Sequence, residues 1–404
     1  MNRYALLVLV AGALTMAGAA GFARYAFPLL LPDMREALNA TYGHMGMMVT
    51  VNNIGYVITA SLGGFISARY GMRRVIFVSM ALAGIMTVAT GLAPAIEFAL
   101  VMQFLVGLSA GGAVIPAMGL AGGSFEPRQR GLATGIVVAG FPLSMLLSSI
   151  FLPVVLSGLG AGSWRYGWII LGVLVITMGT INLIIIRDRP PGRAAESGPE
   201  VQQATPATRT NWGLLYKNRT IWLLCVINLT IGLSAGIFTT FFVAYLVDQR
   251  GLPTSVAASA WGLVGLMGIV SGMFWGYISD KAGRRLGLAA CYYCYTTAIF
   301  VLTFVTIPGA EYASGLLGGM AFTGGMAICV ALLSDTVGPG LASAGFGLIS
   351  LFFNAGQVIS PSLAGIIIDS TGTFVASLIA STLLCFLSAT LCLFLRPPKL
   401  EDAL

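Results

Sequence analysis

Charge is what this sequence has least of. Asp, Glu, Lys and Arg make up 9% of its 404 residues and hydrophobic residues 57%. A water-soluble domain carries about a quarter charged residues, so a soluble globular protein is excluded. Histidine occurs once, at His44, which excludes metal centres built on several imidazoles. The chain contains no nucleophile–base–acid arrangement, no phosphate-cradling glycine loop and no His/Cys/Asp/Glu group at ligand spacing. Enzyme chemistry, nucleotide-driven pumping and a bound metal or cofactor are therefore not expected. The alternating ten-residue segments of a membrane β-barrel are missing too. Cysteine is confined to apolar runs of the second half. Cys291 and Cys294 have redox or metal spacing, but they stand beside Tyr292, Tyr293 and Tyr295 on an apolar run. Ordinary packing is expected for the cysteines, and a lipid-facing, peripheral position for the tyrosines.

The residues present are those of helices in lipid. Apolar runs of about 20 residues, each long enough to cross the hydrocarbon as helix, start near Tyr4, Gly43, Arg74, Ala95, Arg130, Ser163, Arg219, Pro253, Leu286, Glu311, Leu341 and Thr373. The 52 glycines suit close helix–helix approach, as in Gly107-x-x-x-Gly111 and Gly268-x-x-x-Gly272-x-x-x-Gly276. The first run, with Arg3 before it and Ala17-Gly18-Ala19 within it, mimics a signal peptide. Its length favours a retained span. These features predict an all-α membrane protein of twelve transmembrane helices.

The net charge of +7 is a topology signal and not a sign of nucleic-acid binding. With the amino terminus in the cytoplasm, outer loops hold only Arg35, Arg165 and Arg250 of the 21 Lys and Arg, and Arg24 lies within a span. The other seventeen fall on the cytoplasmic side, the positive-inside pattern, with both termini cytoplasmic. The stretch from Arg187 to Lys217 is polar and rich in Pro, Ala and Gly. It reads as a partly disordered cytoplasmic linker, residues 187–218, between helical bundles spanning 1–186 and 219–404.

The two bundles are duplicates. Gly64-Phe65-Ile66-Ser67-Ala68-Arg69-Tyr70-Gly71-Met72-Arg73-Arg74 is echoed 212 residues later by Gly276-Tyr277-Ile278-Ser279-Asp280-Lys281-Ala282-Gly283-Arg284-Arg285. At the same offset Pro127 pairs with Pro339 and Gly135 with Gly347. Internal repetition of this kind builds secondary transporters. Together with Gln103-x-x-x-Gly107-Leu108-Ser109-Ala110-Gly111-Gly112 on the fourth run, the paired loops resemble the major facilitator superfamily over essentially the whole chain. The opening, Gly21 to Phe27 with Leu31-Pro32-Asp33-Met34, looks closest to bacterial members and, more loosely, to small-anion (monocarboxylate-type) porters. The resemblance implies two six-helix halves rocking about a cavity. It departs from the family pattern at Ala68, where Asp is usual, at Gln103, where Arg is common, and in the fifth run, which lacks the full glycine–proline pattern of drug/proton antiporters.

In the loop motif Gly71 and Gly283 allow the tight turn, while Arg69, Arg73, Arg74, Lys281, Arg284 and Arg285 anchor helix ends at an anionic surface. By resemblance Asp280 and Lys281 also latch neighbouring helices, with Gly64 and Gly276 opening each motif. A purely topological role is the alternative.

Arg24 is the residue of most consequence. Burying it costs at least ~2.5–3.5 kcal/mol, and no acid lies deep in any run, so it should face a wet cavity. There it would attract an anion and grip a carboxylate with two parallel hydrogen bonds. Snorkelling to the surface is the alternative. Asn52, Asn53 and Tyr56 share a helical face, and Gln103 should lie at a similar depth. Asn228, Trp261, Asn354 and Gln357 are further candidate linings, each able instead to serve as an interhelical contact. Asp33 and Asp248 are the candidate proton carriers. The sequence thus predicts a monomeric secondary transporter of a small solute, an organic anion by preference, in the bacterial plasma membrane, with protons as a candidate partner. Export of hydrophobic compounds is the runner-up, and a transporter-like sensor the rival of another class.

Overall fold

The structure is a computed structural model that describes residues 3–125, 129–160, 162–186 and 212–395. The described residues contain no strand and include twelve helices long and apolar enough to cross a membrane. They are Tyr4–Ala37, Tyr42–Tyr70, Met72–Gly91, Ile96–Leu120, Gly131–Ser157 and Ser163–Ile185 in the first half, and Arg219–Gln249, Thr254–Ala282, Arg284–Phe304, Ala310–Val337, Ala344–Thr371 and Val375–Cys392 in the second. They are called the first to twelfth spans below. The chain divides into two compact units, Met1–Pro206 and Ala207–Leu404. Most of the expected linker, 187–211, lies outside the described residues, as does Pro127 of the repeat. The linker's end is a short helix, Trp212–Lys217, where the sequence suggested a continuous polar segment.

Span ends follow local chemistry. Thr41 caps the second span: its hydroxyl accepts from the His44 amide at 3.2 Å, and the Thr41 amide donates to His44 Nδ1 at 3.3 Å. The lone histidine is therefore part of a reciprocal cap. Gly71 and Gly283 end the second and eighth spans at φ 86° and 89°, a region that a side chain enters only with strain. Asn218 caps the seventh span by accepting from the Thr220 amide at 2.9 Å.

Two spans depart from ideal winding. In the first span, Met16–Tyr25 is π-helical, and an α-helix restarts at Phe27. Pro28 supplies a reason: it has no N–H to donate, and its ring would press on the carbonyl four residues back, that of Arg24. The small residues Ala17 to Gly21 crowd the widened turns least. In the seventh span, Tyr245–Gln249 winds the same way shortly before Pro253.

Each half is packed by glycines set against carbonyls. A methyl group on Gly107 of the fourth span would lie 1.9 Å from the Asn52 carbonyl oxygen of the second. In the second half, Gly319 meets the Val264 oxygen in the same way, at 2.4 Å. Both residues of this second pair lie 212 positions after their counterparts. Between the first and fifth spans Gly21 faces Ser144, whereas 212 residues on Gly356 faces Leu233. The small residue has changed helices and the close approach remains. One expectation fails here, because Gly272 and Gly276 would meet nothing within 4 Å. Close approaches in the second half are made instead by other glycines, Gly315 and Gly319 of the tenth span among them.

Candidate functional site

The first span is the most enclosed of its half, and Arg24 stands in the last turn of its π-helical stretch, half-buried. Arg24 Nε donates to Asn52 Oδ1 at 2.8 Å, and its Nη2 makes a short hydrogen bond to Asn53 Oδ1. Its Cζ stands 4.2 Å from the centre of the Tyr56 ring and 5.8 Å from that of Tyr25. Tyr25 in turn meets Phe141 of the fifth span edge-on, with ring centres 4.6 Å apart. Asn52 Nδ2 donates to the side-chain and main-chain oxygens of Gln103, at 2.9 and 3.1 Å. Gln103 Nε2 reaches the Thr90 hydroxyl of the third span at 3.4 Å. The structure thus brings Arg24, Asn52, Asn53, Tyr56 and Gln103 into one cluster drawn from the first, second and fourth spans.

The electrostatics of the cluster are one-sided. The Arg24 partners are two neutral amides and two rings, and among the described residues no carboxylate pairs with it. Cation–ring contacts and amide acceptors stabilise a guanidinium without cancelling its charge. Asp33 lies further out on the first span, partly buried, and Asp248 is exposed on the π-helical end of the seventh.

The second-half candidates are dispersed. Trp261 is fully buried and packs on Phe242 with ring centres 5.7 Å apart, so the structure places it in packing. Asn354 donates to the Ser350 carbonyl at 2.8 Å, and Gln357 is buried. Asn228 donates to the Leu224 carbonyl at 2.9 Å and lines a small cavity with Ile231, Tyr292, Tyr295, Phe322, Met326 and Phe353. Tyr292 and Tyr295 are thus buried inside their half, against the expectation of a peripheral, lipid-facing position. Helical phase explains this, since residues three apart share a face. All six cysteines are free, and among the described residues no group of His, Cys, Asp and Glu could hold a metal.

The two loop motifs have diverged in contacts. Arg284 binds Asp280, Ser279 Oγ at 2.9 Å and Asp335 Oδ2 at 3.0 Å, tying together the ends of the eighth, ninth and tenth spans. Asp280 thus pairs with Arg284, while Lys281 stands 4.5 Å from the Tyr277 ring centre. In the first half Arg73 Nε donates to the Leu183 carbonyl at 2.8 Å, capping the sixth span. Arg69 lies 5.6 Å from the Tyr70 ring centre. Arg74 and Arg285 are exposed, and neither Gly64 nor Gly276 has a neighbour that a methyl group would meet. Sequence reasoning missed Thr90 and Asp335. A Thr within an apolar run carries no distinctive signal, and Asp335 lies 51 residues from the arginine it meets.

The comparisons agree with this architecture. The sequence profile described as Major Facilitator Superfamily matches residues 13–308 and 269–404. The chain is 25% identical to the hexuronate transporter of Bacillus subtilis, over 93% of this chain and 91% of that protein. It is 25% identical to "Probable sulfoacetate transporter SauU" of Cupriavidus necator, over 92% and 89%. Among solved structures, a bacterial homolog of the human lysosomal transporter Spinster superposes with a TM-score of 0.78 at 16% identity, covering 100% of this chain and 99% of that one. The chain belongs to the Major Facilitator Superfamily. It is a multi-pass membrane protein of the secondary transporter class.

Proposed function

We propose that this transporter carries a small organic anion, held through a carboxylate by Arg24, across the bacterial plasma membrane by alternating access. The observation that carries this reading is a guanidinium fixed at membrane depth whose partners are neutral amides and rings. Such a site retains a full positive charge, and a ligand bringing one negative charge neutralises it where the field is least screened. Both relatives are named for substrates that are anions at neutral pH, a hexuronate and sulfoacetate. The seventeen-to-three charge asymmetry supports cytoplasmic termini.

The test is uptake into proteoliposomes, with a panel of small carboxylates and sulfonates and with or without an imposed pH gradient. Arg24→Ala should weaken binding of the transported anion by about 2–5 kcal/mol, a loss of thirtyfold or more, at normal expression. Undiminished uptake by Arg24→Ala would remove the anion assignment and leave the superfamily. Stimulation by an acid exterior would make protons a co-substrate. Resistance to hydrophobic compounds on overexpression, without anion uptake, would favour the exporter reading.

A further inference from the structure

We infer that Asn52 is a positioning residue, the near end of a hydrogen-bond relay that fixes the Arg24 guanidinium and reserves its terminal edge for the substrate carboxylate. The inference rests on the anion reading above and names what makes that site selective. A guanidinium offers a side edge, made by Nε and Nη2, and a terminal edge, made by Nη1 and Nη2. Here Asn52 and Asn53 fill the side edge, and Nη1 makes no hydrogen bond to a described residue. A carboxylate can meet the terminal edge with two parallel bonds while the asparagines stay in place. Asn52 and Asn53 are on this account supports of Arg24 and not ligands.

The polarity of the relay is set by the backbone at its far end. The Thr90 hydroxyl donates to the Met86 carbonyl at 2.9 Å, so it can only accept from Gln103 Nε2. Gln103 must then turn its Oε1 to Asn52, and Asn52 Nδ2 meets that oxygen and the Gln103 main-chain oxygen together. Rotating the Asn52 amide would place oxygen against oxygen, so Oδ1 is held toward Arg24. Four spans contribute to this one orientation.

The second half shows that packing does not require the relay. At the 212-residue offset Arg24, Asn52, Thr90 and Gln103 become Gly236, Val264, Leu302 and Gly315. The backbone contact beneath Asn52 persists there as Gly319 against the Val264 carbonyl. A feature absent from the equivalent helix pair serves something other than holding the pair together.

The test uses purified full-length protein, with D-glucuronate and sulfoacetate as binding probes followed by intrinsic fluorescence, and uptake of whichever binds. Asn52→Val introduces the residue that the second half tolerates at this place. It should raise the dissociation constant about ten- to a hundredfold, with the maximal uptake rate and the melting temperature near those of the parent. Gln103→Leu should weaken binding less, and on the Asn52→Val background it should add nothing, because both changes break the same relay to Arg24. Unchanged affinity in Asn52→Val, or full additivity of the two changes, overturns the inference while leaving the anion reading intact. If Asn52→Val does not fold, the isosteric Asn52→Asp replaces it: an acid beside Arg24 should abolish binding of both anions, and retained binding overturns the inference. If neither probe binds, the panel of small carboxylates and sulfonates above takes their place, and a parent protein that binds none of them removes the anion reading and this inference with it.

Discussion

Two arginines show how much the partner decides. Arg284 lies between Asp280 and Asp335 with its side chain about a quarter exposed, while Arg24 is held by uncharged groups within the first half. Ion pairs that water can reach contribute little, with a median of about 0–1 kcal/mol. Arg284→Gln should accordingly change unfolding free energy in detergent by no more than about 1 kcal/mol, and leave anion affinity as it was. A large loss of affinity in that variant would tie the second-half ion cluster to the binding site. The Arg24 cluster was partly legible in the sequence, because an arginine in an apolar run is costly and needs a reason. The side-by-side asparagines and Tyr56 could be placed on a shared face from helical spacing alone. That Gln103 would join them through Asn52, and Thr90 through Gln103, depended on how the second, third and fourth spans meet.

Among the elements, the glycine-lined crossings set the distances on which the cluster depends. Adding a methyl group to Gly107 or Gly319 drives it against a carbonyl oxygen, at 1.9 or 2.4 Å. The helices must separate, at a cost of roughly 1–3 kcal/mol. Gly107→Ala and Gly319→Ala should both lower the melting temperature. Only Gly107→Ala should also weaken anion binding, since its carbonyl neighbour is Asn52, the residue that holds Arg24. Equal losses of binding in the two variants would mean that the Asn52 backbone has no special bearing on the site. The elements also show where pattern reading stopped. Twelve apolar runs gave twelve spans with starts within three residues of those expected. The π-helical winding at Met16–Tyr25 has no hydropathy signature, because hydropathy is blind to which carbonyl an amide selects. Pro28 and the small residues before it were its only mark.

The whole molecule is a duplicated helical chain whose halves keep the same crossings and carry different chemistry. Its distribution of Lys and Arg predicts that Lys217 faces the cytoplasm and that Ile307, between the ninth and tenth spans, faces outward. A membrane-impermeant maleimide should label Ile307→Cys and not Lys217→Cys in intact cells, and the reverse in inverted vesicles. Labelling of both from one side would contradict the twelve-span topology. Hydropathy and the 212-residue repeat determined span number and kinship, and charge asymmetry predicts the orientation, because each is a property of residues summed along the chain. Only the tertiary structure decided which polar groups meet. A hydrogen bond depends on ångström-scale placement of groups on different helices, and that placement is set by glycine contacts that composition does not reveal. The same physics left the second half without a counterpart of the Arg24 relay while preserving the packing on which the first half hangs it.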